Sequence, residues 1–123
     1  MQAYEIKITP RHNKLQSRFK AYLVKRVVSE VWPDVASVDL RFRDPKKGLV
    51  PAEIKSCDKA NVRYAIRTAI GQLLDYRQRT PRKAKMMIIL DIIHNNDDKM
   101  LAIFNGFAVS YPSQRGFQIT WPE

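Results

Sequence analysis

Residues 86–93 read Met-Met-Ile-Ile-Leu-Asp-Ile-Ile, a run with almost no polar interruption. Strict alternation would mark a strand with one wet face; an unbroken run of this kind marks a strand covered on both faces. A chain that buries such a central strand must supply helices to pack on a sheet, and the rest of the sequence is read against that demand. With 123 residues there is enough chain for one core and too little for two. No repeat, low-complexity tract or Pro- or Gly-rich linker divides it, so residues 1–123 are expected to form a single domain.

The flanking segments supply the remaining layers. Tyr4, Ile6 and Ile8 alternate with Glu5 and Lys7, which suggests a short strand stopped by Pro10. From Asn13 to Val31, Leu15, Phe19, Tyr22, Leu23, Val27 and Val31 recur at helical spacing, and Pro33 is expected to end that helix. Val35 to Phe42 reads as a strand, Asp44-Pro45-Lys46-Lys47-Gly48 as a turn, and Leu49 to Ser56 as the second strand of a hairpin. A helix capped by Ser56 or Asp58 should run from Lys59 to Arg79, with Ala65, Ile66, Ala69, Ile70, Leu73 and Leu74 as its buried stripe. After a polar loop from His94 to Asp98, a short helix over Lys99 to Asn105 ends with Gly106 at its C′ position. Strands over Phe107 to Tyr111 and Phe117 to Trp121 follow, the last at an edge. The expected class is α/β, an α+β mixed sheet flanked by helices.

Charge narrows the partners. The 22 Lys and Arg outnumber 12 Asp and Glu, a net charge of +10, and such a field attracts polyanions, nucleic acid foremost. Solubility, or contact with ribosomes or membrane surfaces, would also account for a basic balance taken alone. The one cysteine, Cys57, can form no internal disulfide, which suits a reducing compartment. No apolar run approaches the roughly 20 residues that span a bilayer, and Glu5 and Lys7 interrupt any signal-peptide core, so a cytoplasmic protein without membrane contact is expected.

Within the expected hairpin, Asp39 lies on one strand and Glu53-Ile54-Lys55 on the other. Glu53 and Lys55 are two apart and share a face. Two neighbouring carboxylates repel until a hard cation such as Mg²⁺ accepts their oxygens. A lysine beside them can orient or deprotonate a water and balance phosphate charge, which together make a phosphodiesterase constellation. A lone Glu-x-Lys is common on exposed strand faces and decides nothing by itself. On the following helix, Gln72 and Tyr76 stand four apart beside Ala65 and Ala69, whose small side chains let the helix approach the sheet. Gln72, at the margin of an apolar stripe, either hydrogen-bonds a neighbour or faces a cleft.

With Val38-Asp39-Leu40, Ala52-Glu53-Ile54-Lys55-Ser56 and Ala69-Ile70-Gly71-Gln72-Leu73-Leu74-Asp75-Tyr76-Arg77, the chain resembles the PD-(D/E)XK nuclease superfamily, in particular RecB-like members with a QxxxY helix. The resemblance spans roughly residues 12 to 111. It implies a restriction-endonuclease-like core in which Asp39 and Glu53 bind the metal, Mg²⁺ or Mn²⁺, the Ile54 carbonyl completes its coordination and Lys55 assists the water. Gln72 and Tyr76 would line the cleft, steadying Lys55 or touching the nucleic-acid backbone. The family core places three strands between its two main helices, whereas residues 33–56 have room for about two. The third would come from the N-terminal segment or be absent. The adjacent Pro33-Asp34 pair reads as a helix stop with a surface or capping aspartate, not as the metal ligand.

Many relatives carry an acid or histidine on the first helix, and both Glu30 and His12 would extend that helix's apolar face toward the site, Glu30 as a further metal ligand. Lys46, Lys47, Arg63, Arg67 and Arg77 are candidate phosphate contacts, as are Arg79, Arg82, Lys83 and Lys85, although a solvated face explains any one of them. Trp32, Tyr22 and Tyr64 read as core or cleft wall. No zinc-ligand spacing, Gly-rich phosphate loop or Ser-His-Asp arrangement is present. The expected activity is metal-dependent hydrolysis of phosphodiester bonds in nucleic acid, DNA foremost. The alternative is a basic nucleic-acid-binding module or assembly subunit without catalysis. A homodimer or larger assembly is compatible with either.

Overall fold

The structure, a computed structural model, describes residues 10–26, 30–35, 38–80 and 84–122. The expected strand at residues 4–8 lies outside them. Three helices, α1 (Pro10–Lys25), α2 (Val62–Arg79) and α3 (Asn96–Phe104), pack on a six-stranded mixed sheet. Its strands are β1 (Val31–Val35), β2 (Val38–Asp44), β3 (Gly48–Lys55), β4 (Met86–Leu90), β5 (Phe107–Ser113) and β6 (Gly116–Thr120). They lie side by side in chain order. β1, β2 and β3 form an antiparallel meander, β4 and β5 continue parallel to β3 through α2 and α3, and β6 returns antiparallel. The fold is thus α+β. Among the described residues no helix is long and apolar enough to cross a membrane.

The apolar run behaves as its composition requires. All five residues of β4 are buried, with Met86, Ile88 and Leu90 joining the α2 and α3 core while Met87 and Ile89 join the α1 core. On the first side, Val62, Ala65, Ile66, Ala69 and Leu73 of α2 close over the sheet. On the second, Leu15, Phe19 and Leu23 of α1 meet Leu40, Phe42, Val50, Ala52 and Ile54. Leu74, expected in the stripe, is instead 42% exposed, and Tyr64, expected as core or cleft wall, is 70% exposed. Both sit on the outer side of α2, turned from the stripe that Ala65, Ala69 and Leu73 define.

Several boundaries differ from the sequence expectation: β2 begins at Val38 rather than Val35, β4 ends at Leu90 rather than Ile93, and α2 begins at Val62 after a 3₁₀ turn over Lys59–Asn61. Three further differences have plain physical reasons. The first helix spans Pro10–Lys25 rather than Asn13–Val31, because Pro10 occupies a first-turn position that needs no N–H, so it starts the helix instead of stopping a strand. Val31 belongs to β1, the third strand of the meander, which includes Pro33. Arg43 donates its N–H to the Glu30 carbonyl at 3.0 Å, so the ladder's alternation leaves Pro33 at a position whose nitrogen points away from β2. Proline is tolerated there because β1 is an edge strand. The last helix begins at Asn96 rather than Lys99, since the Asn95 side chain accepts the Asp98 N–H at 2.9 Å and caps it. Gly106 follows that helix with φ +87°, as a C′ residue should.

Candidate active site

The site forms where β2 begins and the antiparallel β3 ends. Paired residues run from Asp44↔Gly48 to Leu40↔Ala52. Beyond that pair the Asp39 side chain takes over, accepting the Ile54 N–H at Oδ2 over 2.8 Å. The neighbouring Glu53, only 3% exposed, lies within hydrogen-bonding contact of the Asp39 carboxyl. Ala52 and Ile54 point into the α1 core, so Glu53 and Lys55 project to the α2 side together, as the spacing predicts.

The pair cannot carry two full negative charges cheaply. Burial, then the nearby Asp39 charge, push the Glu53 carboxyl up to about 8, with Lys55 opposing that rise. Asp39 moves the other way: burial raises it, but contacts with His12, the Ile54 amide and Glu53 outweigh burial and hold it below the ordinary aspartate value. Two full charges on the pair are therefore disfavoured near neutral pH, with Asp39 the more readily ionised and Glu53 the more readily protonated of the two.

The N-terminal half of α1 fastens this corner. His12 Nε2 lies 3.3 Å from Asp39 Oδ2, and Gln16 Nε2, one turn on, donates to the Asp39 carbonyl at 2.7 Å. Arg11 reaches Asp91 Oδ2 at 2.9 Å, the Cys57 carbonyl at 2.8 Å and Asp58 Oδ1 at 3.2 Å. Asp91 also accepts the Cys57 N–H at 2.9 Å, so α1, the end of β4 and the start of the β3–α2 connection are tied together. Sequence reasoning missed Arg11, Gln16 and Asp91. Asp91 carried a signal, as the one charge in the run from Met86 to Ile93. Arg11 and Gln16 carried none beyond lying on the helix face of His12. Cys57 is buried, and burial raises its thiol, in keeping with an inert cysteine.

Of the two first-helix candidates, the structure brings His12 to the site and not Glu30. The helix ends at Lys25, and Glu30, in the segment before β1, pairs with Arg43 at the surface. The α2 candidates also separate. Tyr76 is 6% exposed and lines a groove of about 930 Å³ with Arg41, Arg43, Lys47, Leu49 and Arg77. Gln72, one turn earlier, is exposed to solvent. Tyr76 stands beside Gly48 and Leu49, at the opposite end of β3 from Lys55. It is therefore a groove residue rather than a support for Lys55.

That groove lies on the face Glu53 shares, since Leu49, Pro51 and Glu53 alternate with the residues packed under α1. Among the described residues its charged lining is cationic, Arg41, Arg43, Lys47, Arg77 and Lys85, with Arg43 also held by Glu30. The Arg41 guanidinium stacks 5.4 Å from the Trp32 ring centroid, and its Nε is buried without a hydrogen-bond partner among the described residues. Arg63 instead holds Asp98 at 3.0 Å, joining α2 to α3. Arg67 is exposed on α2, Lys46 is exposed at the hairpin tip, and Arg82 and Lys83 lie outside the described residues. No protein-family model, curated protein or solved structure matches the chain.

Proposed function

We propose that this chain is a divalent-metal-dependent nuclease with a restriction-endonuclease-like core, hydrolysing phosphodiester bonds in nucleic acid, DNA foremost. The observation that carries the reading is the Asp39–Glu53 pair, two carboxylates on adjacent strands within hydrogen-bonding contact, with Lys55 on the same face as Glu53. Two further features support it. A helix, a three-strand meander and a second helix follow one another in the order the PD-(D/E)XK resemblance implies, β1 supplying the third strand. A groove with cationic lining lies on the face that Glu53 shares, toward the other end of β3.

The donor set fits a hard cation. Asp39 and Glu53 offer oxygens whose mutual repulsion a divalent ion would relieve. Among the described residues no group of three or more His, Cys, Asp or Glu side chains is arranged to hold a metal, so a third protein ligand would be the Ile54 carbonyl that the resemblance implies. Mg²⁺ or Mn²⁺ bound there would supply Lewis-acid neutralisation of phosphate charge. The chain's own groups do the remainder. Glu53 would lose its proton to solvent on serving as a ligand, and His12 and the Ile54 amide keep Asp39 oriented. Lys55 orients a water for attack on phosphorus and offsets charge on the phosphate oxygens, while Arg41, Arg43 and Arg77 hold the backbone.

A nucleic-acid-binding module without catalysis is the second reading, favoured by the lack of a three-ligand group. The deciding experiment assays cleavage of single-stranded, duplex and branched DNA and RNA with Mg²⁺, Mn²⁺ or EDTA, and binding by anisotropy with Ca²⁺. Asp39→Ala, Glu53→Gln and Lys55→Ala should each lower cleavage by at least roughly a hundredfold while binding persists. Cleavage by Asp39→Ala at the wild-type rate would refute the site. Binding without cleavage under any metal would leave the module.

A further inference from the structure

A second groove, about 570 Å³, opens on the α1 side of the sheet at the hairpin tip. Tyr22, Arg26, Phe42, Lys46, Lys47 and Trp121 line it. Two of its rings carry cations: Arg26 lies 5.4 Å from the Tyr22 centroid and the Lys47 ammonium 5.1 Å from that of Trp121. The one acid in the lining, Asp44, is committed to the turn, its Oδ2 accepting the Lys46 N–H at 2.9 Å and the Lys47 N–H at 2.8 Å. Lys47 borders this groove and the cationic groove alike, so the two meet around the hairpin.

Cations interleaved with partly exposed rings suit a polyanion that also presents flat aromatic faces. A nucleic-acid strand with unpaired bases does both, whereas a duplex keeps its base faces stacked inside. We propose that the second groove stacks an unpaired base on Trp121, so that the preferred substrate carries a single-stranded segment beyond the scissile bond. The proposal rests on the nucleic-acid reading above. Tyr22 is packed against Phe19 and Phe117 and serves as the wall, leaving Trp121 as the platform. The base takes the place of the Lys47 ammonium over the indole, and Lys47 turns to a phosphate. From Glu53 to Gly48 the strand covers about 17 Å, which sets the scale separating the stacked base from the reacting phosphate.

The chain has two tryptophans, so Trp32→Phe leaves Trp121 as the sole indole reporter. With Ca²⁺ replacing Mg²⁺ to block turnover, a thymidine homopolymer should quench Trp121 emission, and a blunt duplex should bind without quenching. In a separate Trp121→Leu protein, shown to be folded by circular dichroism, affinity for the homopolymer should fall roughly tenfold and duplex affinity should hold within about twofold. Homopolymer binding, seen by anisotropy, without quenching and without loss in Trp121→Leu would overturn the stacking site and leave the nucleic-acid reading intact. Equal quenching by the duplex would overturn the requirement for unpaired bases. Failure of both the homopolymer and the duplex to bind at low salt would remove the stacking site and the nucleic-acid reading together.

Discussion

The Asp39 carboxylate takes the Ile54 N–H at 2.8 Å, so the amide between Glu53 and Lys55 fixes the acid on the facing strand. The three groups cannot change their relative register one at a time. Asp39→Asn would still offer an oxygen to that amide, and Asp39→Ala would not. The comparison separates loss of charge from loss of position.

The raised Glu53 carboxyl gives a pH signature. Glu53 is raised to about 8 from its ordinary value of 4.5, so in the metal-free protein its contribution to stability is present below about pH 4.5 and lost as pH rises through 8. Asp39, held low, contributes in the opposite sense, with stability that is lost only in acid, below its usual titration range. Melting temperature in EDTA should therefore fall from pH 5 to pH 9, and Glu53→Gln should flatten that slope. Mg²⁺ bound at the proposed site would compete with the proton, so its affinity should rise over the same interval. A metal-free slope unchanged in Glu53→Gln would contradict the assignment.

His12 steadies Asp39 from α1. Turnover in His12→Ala should drop about tenfold to a hundredfold, with the circular dichroism spectrum unchanged. Glu30→Ala should leave kcat alone and act only through KM, because that carboxylate pairs with Arg43 of the groove and not with Asp39 or Glu53. Equal losses in the two variants would count against this division of roles.

Tyr76 combines a buried ring with a place in the groove lining. Tyr76→Phe should raise KM with little change in melting temperature, whereas Tyr76→Ala should cost about 3–5 kcal/mol of stability, as emptying a large aromatic position does. Gln72→Ala, on the exposed side of the same turn, should leave melting unchanged. A large melting shift in Tyr76→Phe would assign its hydroxyl to the fold.

Gly116 turns the β5–β6 hairpin at φ +124°, and a Cβ there would sit 2.6 Å from Tyr22 Cδ1. Gly116→Ala should therefore destabilise by about 1–3 kcal/mol through overpacking, with added backbone strain. Combining it with Tyr22→Ala should recover the packing part only, which thermal melts of the double-mutant cycle would measure. Full additivity would mean the ring is not what the methyl meets.

The parts of this fold legible in the sequence are those where one local pattern decides. β4 needed cover on both faces, the Asp44–Gly48 turn joined β2 to β3, and Glu53 and Lys55 had to share a side. The first helix was legible in its core face but not in its length, because Val31 continued a helical spacing while belonging to a strand. That same misplaced boundary made Glu30 look as near the site as His12. β1 was hidden by Pro33, whose strong local bias against a strand interior is neutralised by an edge position that only the assembled sheet creates. Arg11 meets Asp91 across 80 residues of chain and Gln16 meets Asp39 across 23, distances at which spacing carries no information.

Pro33 has a further consequence. An exposed sheet edge invites a strand from another molecule, and a nitrogen without hydrogen, turned outward in mid-strand, denies the newcomer one of the bonds it would need. The β1 border is thereby a poor template for strand exchange or fibril growth. Among the described residues the opposite border, β6, has no proline and is the better edge for pairing two copies through their sheets.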